Sequence, residues 1–541
     1  MIQPLIAVRL RRTVGVLLAQ PAAARAVRML DQYHWFVLLL FAGAWVGVTA
    51  AAARAKPFWH DELFTVLLSR LPSVGEFWAA LGNGADLSAP LNTLLTRGVH
   101  ALFGIGHVTT RIPPLAGTVL MIVAVFVFVR RRAGAIMGVA AIAILSYTAA
   151  YRYSYEARGY GLMSGFFALA LVSWAEAAGG RRRTVHLPLM AVALAAAYWS
   201  HYFGVFALAP IAVGETVRAV RRKRPDVALW TAAIASLVAF VPLLALLYAG
   251  QMQASHFWSR AAYSDIRATY AFVFHELFND RLLLATASAL VIATLGRLTL
   301  PRVADRCRLP AHEAAAIVTC LLLPVIEVTA AMLTTGVFVP RYALPLAVGV
   351  ALAIPLGISR LAARTTLAQM VFALILAVGF STSVYHSIIS PAAPFVNPVD
   401  QRPVLISALH EPRPVVVSGG LMFLQLWYYT PPTLRVRLWY LADPDEASKY
   451  TGADTIDRGL IALARYAPVN VSDYPSFMTR YPEFYVYTAG SGWLLDKVET
   501  ENVVIEKVAA EPGGRLLLTR RGRITSAGAA HGSVGISAQG R

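Results

Sequence analysis

Long apolar runs separated by short polar segments dominate the chain as far as about residue 390. The hydrocarbon core of a bilayer needs about 20 apolar residues per helix, and eleven segments approach that length. The candidate spans are 35–53, 112–129, 134–150, 160–177, 187–200, 203–217, 228–248, 283–299, 312–333, 341–359 and 365–386. The pattern therefore predicts an α-helical polytopic membrane protein with about eleven transmembrane helices.

Basic residues come in short bursts between these apolar runs. The bursts lie at 130–132, 181–183, 221–224 and 297–308. Cytoplasmic loops carry an excess of Lys and Arg, and placing every burst on the cytoplasmic side gives a consistent threading of the spans. This threading predicts a basic cytoplasmic N-terminus over 1–34, a transmembrane module over 35–390 and a C-terminus outside the cytoplasm.

The same threading makes residues 54–111 one long external loop. Within it, the segment 90–103 is too short to span a bilayer and carries Arg97 and His100. We expect an amphipathic helix lying on the outer membrane surface. The first span, 35–53, is longer than the core of a signal peptide, so we expect it to be an uncleaved anchor.

The composition changes after Pro391, where prolines mark a linker. Strand-like runs follow, together with segments of helical pattern at 421–429 and 453–466. The strand-like runs are 415–417, 434–440, 484–487, 502–508 and 515–519. These elements predict a small extracytoplasmic α/β domain over 395–521, followed by a disordered tail over 522–541 that is rich in Gly, Ala and Ser.

Composition agrees with a membrane protein and narrows its partners. The 541 residues are 57% hydrophobic and 14% charged, with a mean hydropathy of +0.58, whereas soluble domains are about 25% charged. The net charge of +19 falls in the loop bursts and forms no basic stripe with interleaved aromatic residues, so a nucleic-acid partner is not expected. The two cysteines, Cys307 and Cys320, provide neither a disulfide framework nor a CxxC zinc motif.

Polar residues gather at the external ends of the predicted spans. They belong to five separate segments, which are 60–62, 151–160, 201–202, 251–280 and 341–342. Ionisable groups at membrane depth are costly unless they face protein or water, so they mark function by default. We therefore expect these segments to form one shared site at the outer membrane surface.

The side chains of this site suit one reaction. Asp61 and Glu62 are candidate general bases, Glu156 adds a third carboxylate, and the guanidinium fork of Arg158 is suited to phosphate. A sugar carried on a lipid phosphate leaves as a stable anion. The protein then needs only a carboxylate that takes the proton of the acceptor hydroxyl.

Seven short motifs resemble lipid-linked-sugar glycosyltransferases of the GT-C type, particularly the bacterial dolichyl-phosphate-mannose mannosyltransferase-like and aminoarabinose-transferase-like branch. They are WHDE at 59–62, APLN at 89–92, LFG at 102–104, RIPPL at 111–115, YEARGYGL at 155–162, YWSHYFG at 198–204 and RYALP at 341–345. The resemblance covers about residues 35–390 and implies a GT-C fold. One departure is the stretch 86–91, which lacks the Lys often found near the Pro-Leu pair of aminoarabinose transferases.

The resemblance implies roles for individual residues. Asp61 would be the acidic catalytic residue of the first external loop, acting as the base, and Glu156 would be the second acidic position, with Glu62 as a further catalytic candidate. The candidates for binding the substrate and its phosphate are Arg158, Tyr160, His201, Arg341 and Tyr342. A divalent ion held by His60 and Asp61 is an alternative aid to the leaving phosphate.

Structural explanations compete with several of these roles. Glu62 can simply orient its loop, and Glu156 can form a plain ion pair with Arg158. His201 can be a satisfied histidine at the end of a span, and Arg341 can snorkel toward water. An aromatic loop around Trp258 either lines a lipid or sugar groove or lies at the membrane interface.

The sequence thus favours an inverting glycosyltransferase of the cytoplasmic (inner) membrane. It would move a sugar from a polyprenyl phosphate to an acceptor glycan, lipid or protein on the external side. The first alternative is a transporter or flippase of a lipid-linked sugar, which would need no base. The second is a non-catalytic assembly or sensor protein whose external domain binds a partner.

Overall fold

The computed structural model describes residues 21–251, 256–275, 280–299, 309–363, 365–389, 394–490, 492–501 and 503–521. The predictions made for residues 1–20 and for the tail 522–541 lie outside these ranges. Up to residue 389 the described chain is helical. Its α-helices are α1 (Pro21–Gln32), α2 (His34–Ala55), α3 (His60–Leu68), α4 (Val74–Gly82), α5 (Leu91–Phe103), α6 (Ile112–Ala133), α7 (Ala135–Leu145), α8 (Ala150–Tyr153), α9 (Tyr160–Ala178), α10 (Arg183–Ser200), α11 (Leu208–Arg222), α12 (Val227–Ser236), α13 (Val241–Gln251), α14 (Ser264–Phe274), α15 (Asp280–Thr299), α16 (Ala311–Leu321), α17 (Leu323–Leu333), α18 (Leu346–Leu361) and α19 (Thr366–Ile389).

Seven helical segments of the described chain are long and apolar enough to cross a membrane. They are His34–Ala55, Thr109–Ala133, Tyr160–Ala178, Tyr202–Arg222, Val227–Gln251, Asp280–Leu298 and Thr366–Ser387. The pair α16 and α17 forms an eighth span if it is counted as one helix bent by 57°. The prediction of a polytopic helical membrane protein is confirmed.

The predicted number of eleven spans exceeds the seven or eight that length and hydropathy support. The other three predicted spans coincide with α7, α10 and α18, of which α7 and α18 are shorter apolar helices. Helix α7 ends at Leu145 because a turn through Ser146 follows, and α18 begins only after Pro345. The hydropathy pattern includes these flanking turns in the apolar run and so overestimates the length of both helices.

Glycines bring the backbones of α6 and α9 into direct contact. A Cβ atom on Gly161 would lie 2.2 Å from the carbonyl oxygen of Pro114, and one on Gly165 would lie 2.1 Å from that of Gly117. Small residues at such positions allow membrane helices to approach closely. This glycine seam, formed by Gly117, Gly161 and Gly165, fixes the start of α9 and hence the turn that precedes it.

The first loop folds as three helices and a 3₁₀ turn between α2 and α6. The expected amphipathic helix is present as α5, which buries Asn92, Thr93 and Thr96 and leaves Leu102 and Phe103 exposed. Arg97 is not free on this surface, because its guanidinium donates hydrogen bonds to the carbonyls of Leu71 and Pro72. The α5 helix thus ties the loop together while exposing an apolar edge.

The C-terminal region is a six-stranded sheet with helices. Its strands are β1 (Val415–Val417), β2 (Leu438–Leu441), β3 (Val471–Ser472), β4 (Glu483–Thr488), β5 (Val503–Glu511) and β6 (Gly514–Arg521), in the order β3-β2-β1-β4-β6-β5. Its helices are α20 (Pro403–His410), α21 (Gly420–Tyr429), α22 (Pro432–Arg435), α23 (Pro444–Thr451), α24 (Thr455–Ala464), α25 (Tyr474–Arg480) and α26 (Leu494–Thr500). The strands β3, β2, β1 and β4 pair in parallel, and β6 and β5 add an antiparallel edge.

The α/β character predicted for this region is confirmed, with two local differences. The run 434–440 was expected to be one strand, but Pro432–Arg435 is helical and the strand begins at Leu438. The two-residue strand β3 has no periodic signal in the sequence because it is too short. All three residues of β1 are buried, as expected for the centre of a sheet that is covered on both faces.

Candidate active site

A cavity of about 500 Å³ lies between the first loop, the turns at one end of the helix bundle and the C-terminal region. The first loop contributes the start of α3 and the turn 84–89, and the bundle contributes Arg158, 201–203 and 335–342. The remaining wall comes from the C-terminal region, through Leu421 of α21 and Thr455 of α24, with their neighbours. These residues follow β1 and β2, consistent with the rule that open α/β sheets present ligand sites beyond the carboxyl ends of their strands.

Asp61 lies in the wall of this cavity at the first turn of α3. That turn begins at His60, after an extended residue Trp59, and a carboxylate is favoured at a helix N-terminus. The Asp61 Oδ2 atom lies 3.3 Å from Nη2 of Arg341 and 3.8 Å from Nη2 of Arg158. Its side chain is 20% exposed, so the carboxylate is paired but remains accessible from the cavity.

Arg158 lies between two carboxylates. Its Nη1 atom is 3.8 Å from Oδ1 of Asp86 and donates a hydrogen bond of 3.3 Å to the Asp61 carbonyl. Burial alone would lower the pKa of Arg158, but Asp61 and Asp86 more than offset it and raise the pKa above its ordinary value. The turn that carries Arg158 is fixed, because a Cβ atom on Gly159 would lie 2.0 Å from the Ser200 carbonyl oxygen. The cavity therefore holds a permanent, immobile positive charge.

Arg341 provides the second guanidinium, from a 3₁₀ turn at Pro340–Ala343. Its Nε atom donates a hydrogen bond of 2.8 Å to the Tyr160 hydroxyl. The guanidinium also lies 5.9 Å from the ring centres of both Trp59 and Trp258, within the range of cation–π attraction. Tyr160 does not line the cavity itself but acts through Arg341.

His201 and Tyr342 form an aromatic part of the wall next to these charges. Their ring centres are 4.7 Å apart. Burial, together with the charges of Arg158 and Arg341, lowers the pKa of His201 to about 3, so this imidazole is neutral at ordinary pH. Burial also raises the pKa of Tyr342 above its usual range. Both groups thus add uncharged hydrogen-bonding capacity beside the two arginines.

Glu62 lies outside the cavity although it follows Asp61 directly. Its carboxylate receives two hydrogen bonds of 2.7 Å from Arg111 and one of 2.8 Å from the Ala157 amide. Both charged side chains are buried, with 1% and 0% exposure. Neighbouring residues on a helix point in different directions, so only one of these two carboxylates faces the cavity. The contacts of Glu62 are those of a structural ion pair.

Glu156 is also buried and does not line the cavity. Its Oε2 atom lies 3.7 Å from Nζ of Lys56, and its Oε1 atom has no hydrogen-bond partner among the described residues. Burial raises the pKa of Glu156, although Lys56 opposes the shift. Glu156 therefore lies outside the cavity wall that Asp61 and Arg158 share.

The residues around Asp61 do not fit a metal ion. Across the part of the chain that the structure describes, no group of three or more His, Cys, Asp or Glu side chains has a geometry suited to a metal. Asp61 faces two guanidiniums, which supply the positive charge that an ion would bring. His60 is buried, and this burial lowers its pKa to about 4.

Asp86 and the wall from the C-terminal region were not among the sequence candidates. Asp86 falls in the stretch that departs from the aminoarabinose-transferase pattern. The one sequence signal that points to Asp86 is that its carboxylate lies four positions before Pro90 of the APLN motif. Leu421, Thr455, Ile456 and Gly459 carry no chemical signal at all. The expectation that the Trp258 loop lines a groove agrees with the position of Trp258 in the cavity wall.

Comparisons with known proteins agree with this architecture. A protein-family model described as "Dolichyl-phosphate-mannose-protein mannosyltransferase" matches residues 88–246. The fold is similar to the crystal structure of ArnT from Cupriavidus metallidurans bound to undecaprenyl phosphate, with a TM-score of 0.55 and 14% identity over 90% of this chain and 98% of that chain. The apo structure of the same ArnT matches 90% of this chain and 97% of its own with 15% identity and a TM-score of 0.48.

No curated protein matches the chain. The resemblance to GT-C mannosyltransferase-like and aminoarabinose-transferase-like enzymes is confirmed by the family model and by the shared fold. At 14% identity, the ArnT comparison establishes the fold. The family model matches residues 88–246, and the shared fold agrees with a multi-pass membrane protein.

Proposed function

We propose that this protein is an inverting glycosyltransferase that transfers a sugar from a polyprenyl phosphate to an acceptor hydroxyl on the extracytoplasmic side of the cytoplasmic membrane. The observation that carries the proposal is the accessible carboxylate of Asp61 between the guanidiniums of Arg158 and Arg341. A general base next to two phosphate-binding groups, at one end of a membrane-spanning bundle, matches what this reaction needs. The ligand found in ArnT, undecaprenyl phosphate, belongs to the proposed class of carrier.

The reaction assigns a separate task to each charge. The acceptor oxygen forms a bond to the anomeric carbon of the sugar while its proton passes to the Asp61 carboxylate. The bond between the anomeric carbon and the phosphate oxygen breaks, and the electron pair leaves with the polyprenyl phosphate. Arg158 and Arg341 bind the phosphate oxygens through charge-assisted hydrogen bonds. A single displacement of this kind inverts the configuration of the anomeric carbon.

The dimensions and walls of the cavity suit such a donor. Its volume of about 500 Å³ lies in the usual range of small-molecule sites, and we propose that it accepts a single hexosyl or pentosyl phosphate. Apolar side chains that include Phe203, Leu246 and Leu247 line the side next to the bundle. We propose that the first isoprenyl units of the carrier lie against this side.

A transporter of the lipid-linked sugar remains the alternative from another class. The bent pair α16 and α17 is the observation in its favour, because broken helices are typical of transporter sites. Transport, however, gives no task to a carboxylate held between two arginines. Catalysis explains that carboxylate, so it is the function that the geometry supports best.

The test is sugar transfer by the purified protein in lipid nanodiscs. Radiolabelled polyprenyl-phosphate mannose and polyprenyl-phosphate aminoarabinose serve as donors, and a cell-envelope extract from a strain lacking the protein serves as the acceptor pool. The Asp61→Asn variant should transfer sugar about 10²- to 10⁴-fold more slowly, because it lacks the base. The matched control is Asp445→Asn, the same change at an exposed carboxylate of the C-terminal region, which should keep full activity.

Two results would overturn the proposal. Undiminished transfer by Asp61→Asn would remove the base from its role. Movement of the labelled donor across the membrane of vesicles that contain the purified protein, without any sugar transfer in the nanodiscs, would establish the transporter instead.

A further inference from the structure

The backbone of Phe58 is held at both its polar groups by one helix of the C-terminal region. Its amide donates a hydrogen bond of 2.7 Å to the Tyr429 hydroxyl, and its carbonyl accepts one of 2.7 Å from Nε2 of Gln425. Gln425 and Tyr429 both lie on α21 and are 367 and 371 positions away in the chain. A peptide held at both ends by side chains of a distant region has little freedom to shift.

The same Phe58 is also fixed by the first loop itself. The His107 ring packs 4.7 Å from the Phe58 ring, and its Nε2 atom lies 2.7 Å from the Tyr429 hydroxyl. On the other side, the Arg111 guanidinium lies 5.0 Å from the centre of the Phe58 ring and donates to the Lys56 carbonyl at 2.9 Å. Phe58 is 1% exposed, so these contacts exclude water.

Phe58 lies three positions before Asp61, and α3 begins two residues after it. Helix α21 reaches the same segment, because it packs directly against α3. The orientation of α3, and with it the Asp61 carboxylate, therefore depends on where α21 lies. The distances of 3.3 and 3.8 Å from Asp61 to its arginines leave this carboxylate without tight bonds of its own.

We infer that Gln425 and Tyr429 are positioning residues for Asp61, so that the C-terminal region sets the geometry of the reacting carboxylate. This inference rests on the proposed function for its catalytic consequence. Gln425 and Tyr429 do not line the cavity, so they act through the Phe58 backbone. A misplacement of about 1 Å far from the reacting atoms can cost about 10²-fold in rate, which sets the scale of the expected effect.

The experiment uses the full-length protein with Tyr429→Phe, Gln425→Leu and the double variant. The matched control is Tyr428→Phe, which removes the hydroxyl of the adjacent tyrosine; within the described residues that hydroxyl makes no hydrogen bond. One measurement is hydrogen exchange at the Phe58 amide, read by mass spectrometry of overlapping peptides. The other is steady-state sugar transfer, from which kcat and the KM for the polyprenyl-phosphate donor are separated.

Loss of the hydroxyl acceptor in Tyr429→Phe should speed exchange at Phe58 about fivefold, the scale of one net hydrogen bond. The kcat should fall about 10- to 100-fold in the double variant with the KM for the donor unchanged, because the phosphate-binding arginines are untouched. Tyr428→Phe should change neither quantity. A merely structural role would instead lower the unfolding temperature and leave kcat per folded molecule unchanged.

The inference is overturned if exchange at Phe58 stays at the wild-type rate in both single variants, or if Tyr428→Phe loses as much kcat as Tyr429→Phe. Failure of the proposed function has a different signature, because the wild-type protein would then transfer no sugar. In that case the exchange measurement still tests the hydrogen bond between the Phe58 amide and the Tyr429 hydroxyl. Faster exchange at Phe58 in Tyr429→Phe supports this bond, and unchanged exchange refutes it.

Discussion

The helix bundle carries charged side chains at both ends, and the two groups are built differently. At the cavity end, Asp61 lies 3.3 and 3.8 Å from its arginines. At the other end, Arg183 meets Asp226 at 2.7 Å and Arg218 meets Glu215 at 2.7 Å. Arg132, at the last turn of α6, forms a bidentate pair with Glu313, and both side chains are buried.

The difference separates a charge that holds the fold from a charge that is available to a ligand. The pairs at the far end use their hydrogen-bonding capacity on each other, so nothing remains for another molecule. The pairs that line the cavity, unlike the neighbouring closed pair of Arg111 and Glu62, are long and face open space, so a phosphate can replace the carboxylate as a partner of the arginines. Buried pairs of the first kind are strongly destabilising when one partner is lost.

The largest effect should come from breaking a closed pair. Glu313→Gln leaves Arg132 buried without its carboxylate and should destabilise the protein by about 3–5 kcal/mol. Unfolding in detergent, followed by intrinsic fluorescence, measures this loss, while transfer per folded molecule should be unchanged. The double change Arg132→Met with Glu313→Leu should recover most of the stability. If Glu313→Gln unfolds like the wild type, the pairs at the far end do not stabilise the fold more than those at the cavity.

Removing a charge at the cavity end should instead lower the rate of sugar transfer strongly and the stability only a little. Arg341→Ala takes away a phosphate contact and should slow transfer about 10²- to 10³-fold, while it should lower the unfolding free energy less than Glu313→Gln does, because the ion pair with Asp61 is long and partly exposed. Arg341→Lys keeps the charge, so its rate of sugar transfer should lie between that of the wild type and that of Arg341→Ala. If Arg341→Ala unfolds as readily as Glu313→Gln, the cavity end is structural as well.

Acid should distinguish the two ends through His60. Its pKa in the folded protein is about 4, below the ordinary 6.5, so below pH 6.5 the unfolded chain binds a proton that the folded chain does not. Stability is therefore lost as the pH falls from 6.5 toward 4, by at most about 3 kcal/mol from this group. Unfolding temperatures at about pH 7 and about pH 5 should differ less in His60→Gln than in the wild type.

The Asp226 carboxylate at the far end responds in a lower pH range. Hydrogen bonds from Arg183 and Arg218 hold the pKa of Asp226 below its ordinary 3.8 although burial opposes them. Its contribution is therefore present above pH 3.8 and is lost only in stronger acid. His201, whose pKa is about 3, should leave part of the slope in His60→Gln, and a slope as steep as that of the wild type would remove His60 from the acid response.

The smallest effect concerns the ring that supports Arg341. Trp258→Leu removes one of two cation–π contacts, worth about 0.5–1 kcal/mol, and should slow transfer about two- to fivefold. Trp258→Phe should lose less, since a ring remains. A loss beyond about tenfold in Trp258→Leu would show that Trp258 contacts the substrate itself.

The sequence predicts the helices of the bundle well because hydropathy reports burial in lipid directly. It also predicts Asp61, Arg158 and Arg341, since ionisable residues at membrane depth are costly unless they face protein or water. It does not distinguish Asp61 from Glu62, because that choice depends on the helical turn between them and on Arg111, 49 positions away from Glu62.

The cavity wall from the C-terminal region could not be predicted from the sequence for a related reason. Leu421 and Ile456 are ordinary apolar residues of an α/β region, and only the docking of that region brings them to the cavity. The positioning role inferred for Tyr429 and Gln425 likewise depends on their hydrogen bonds to Phe58, some 370 positions earlier. Such long-range pairings have no local pattern in the chain.

The glycine seam between α6 and α9 decides which parts of the cavity are free to diversify. A side chain at Gly161 would collide with the backbone at Pro114, so the bundle side accepts almost no added bulk and must keep its shape. The loops of the sheet region have close approaches of their own at Gly420 and Gly492, but Leu421 and Thr455 already carry side chains in the cavity wall. Enzymes of this architecture would therefore acquire new sugar acceptors by remodelling the outer wall, and a designer seeking altered selectivity should begin at Leu421 and Thr455.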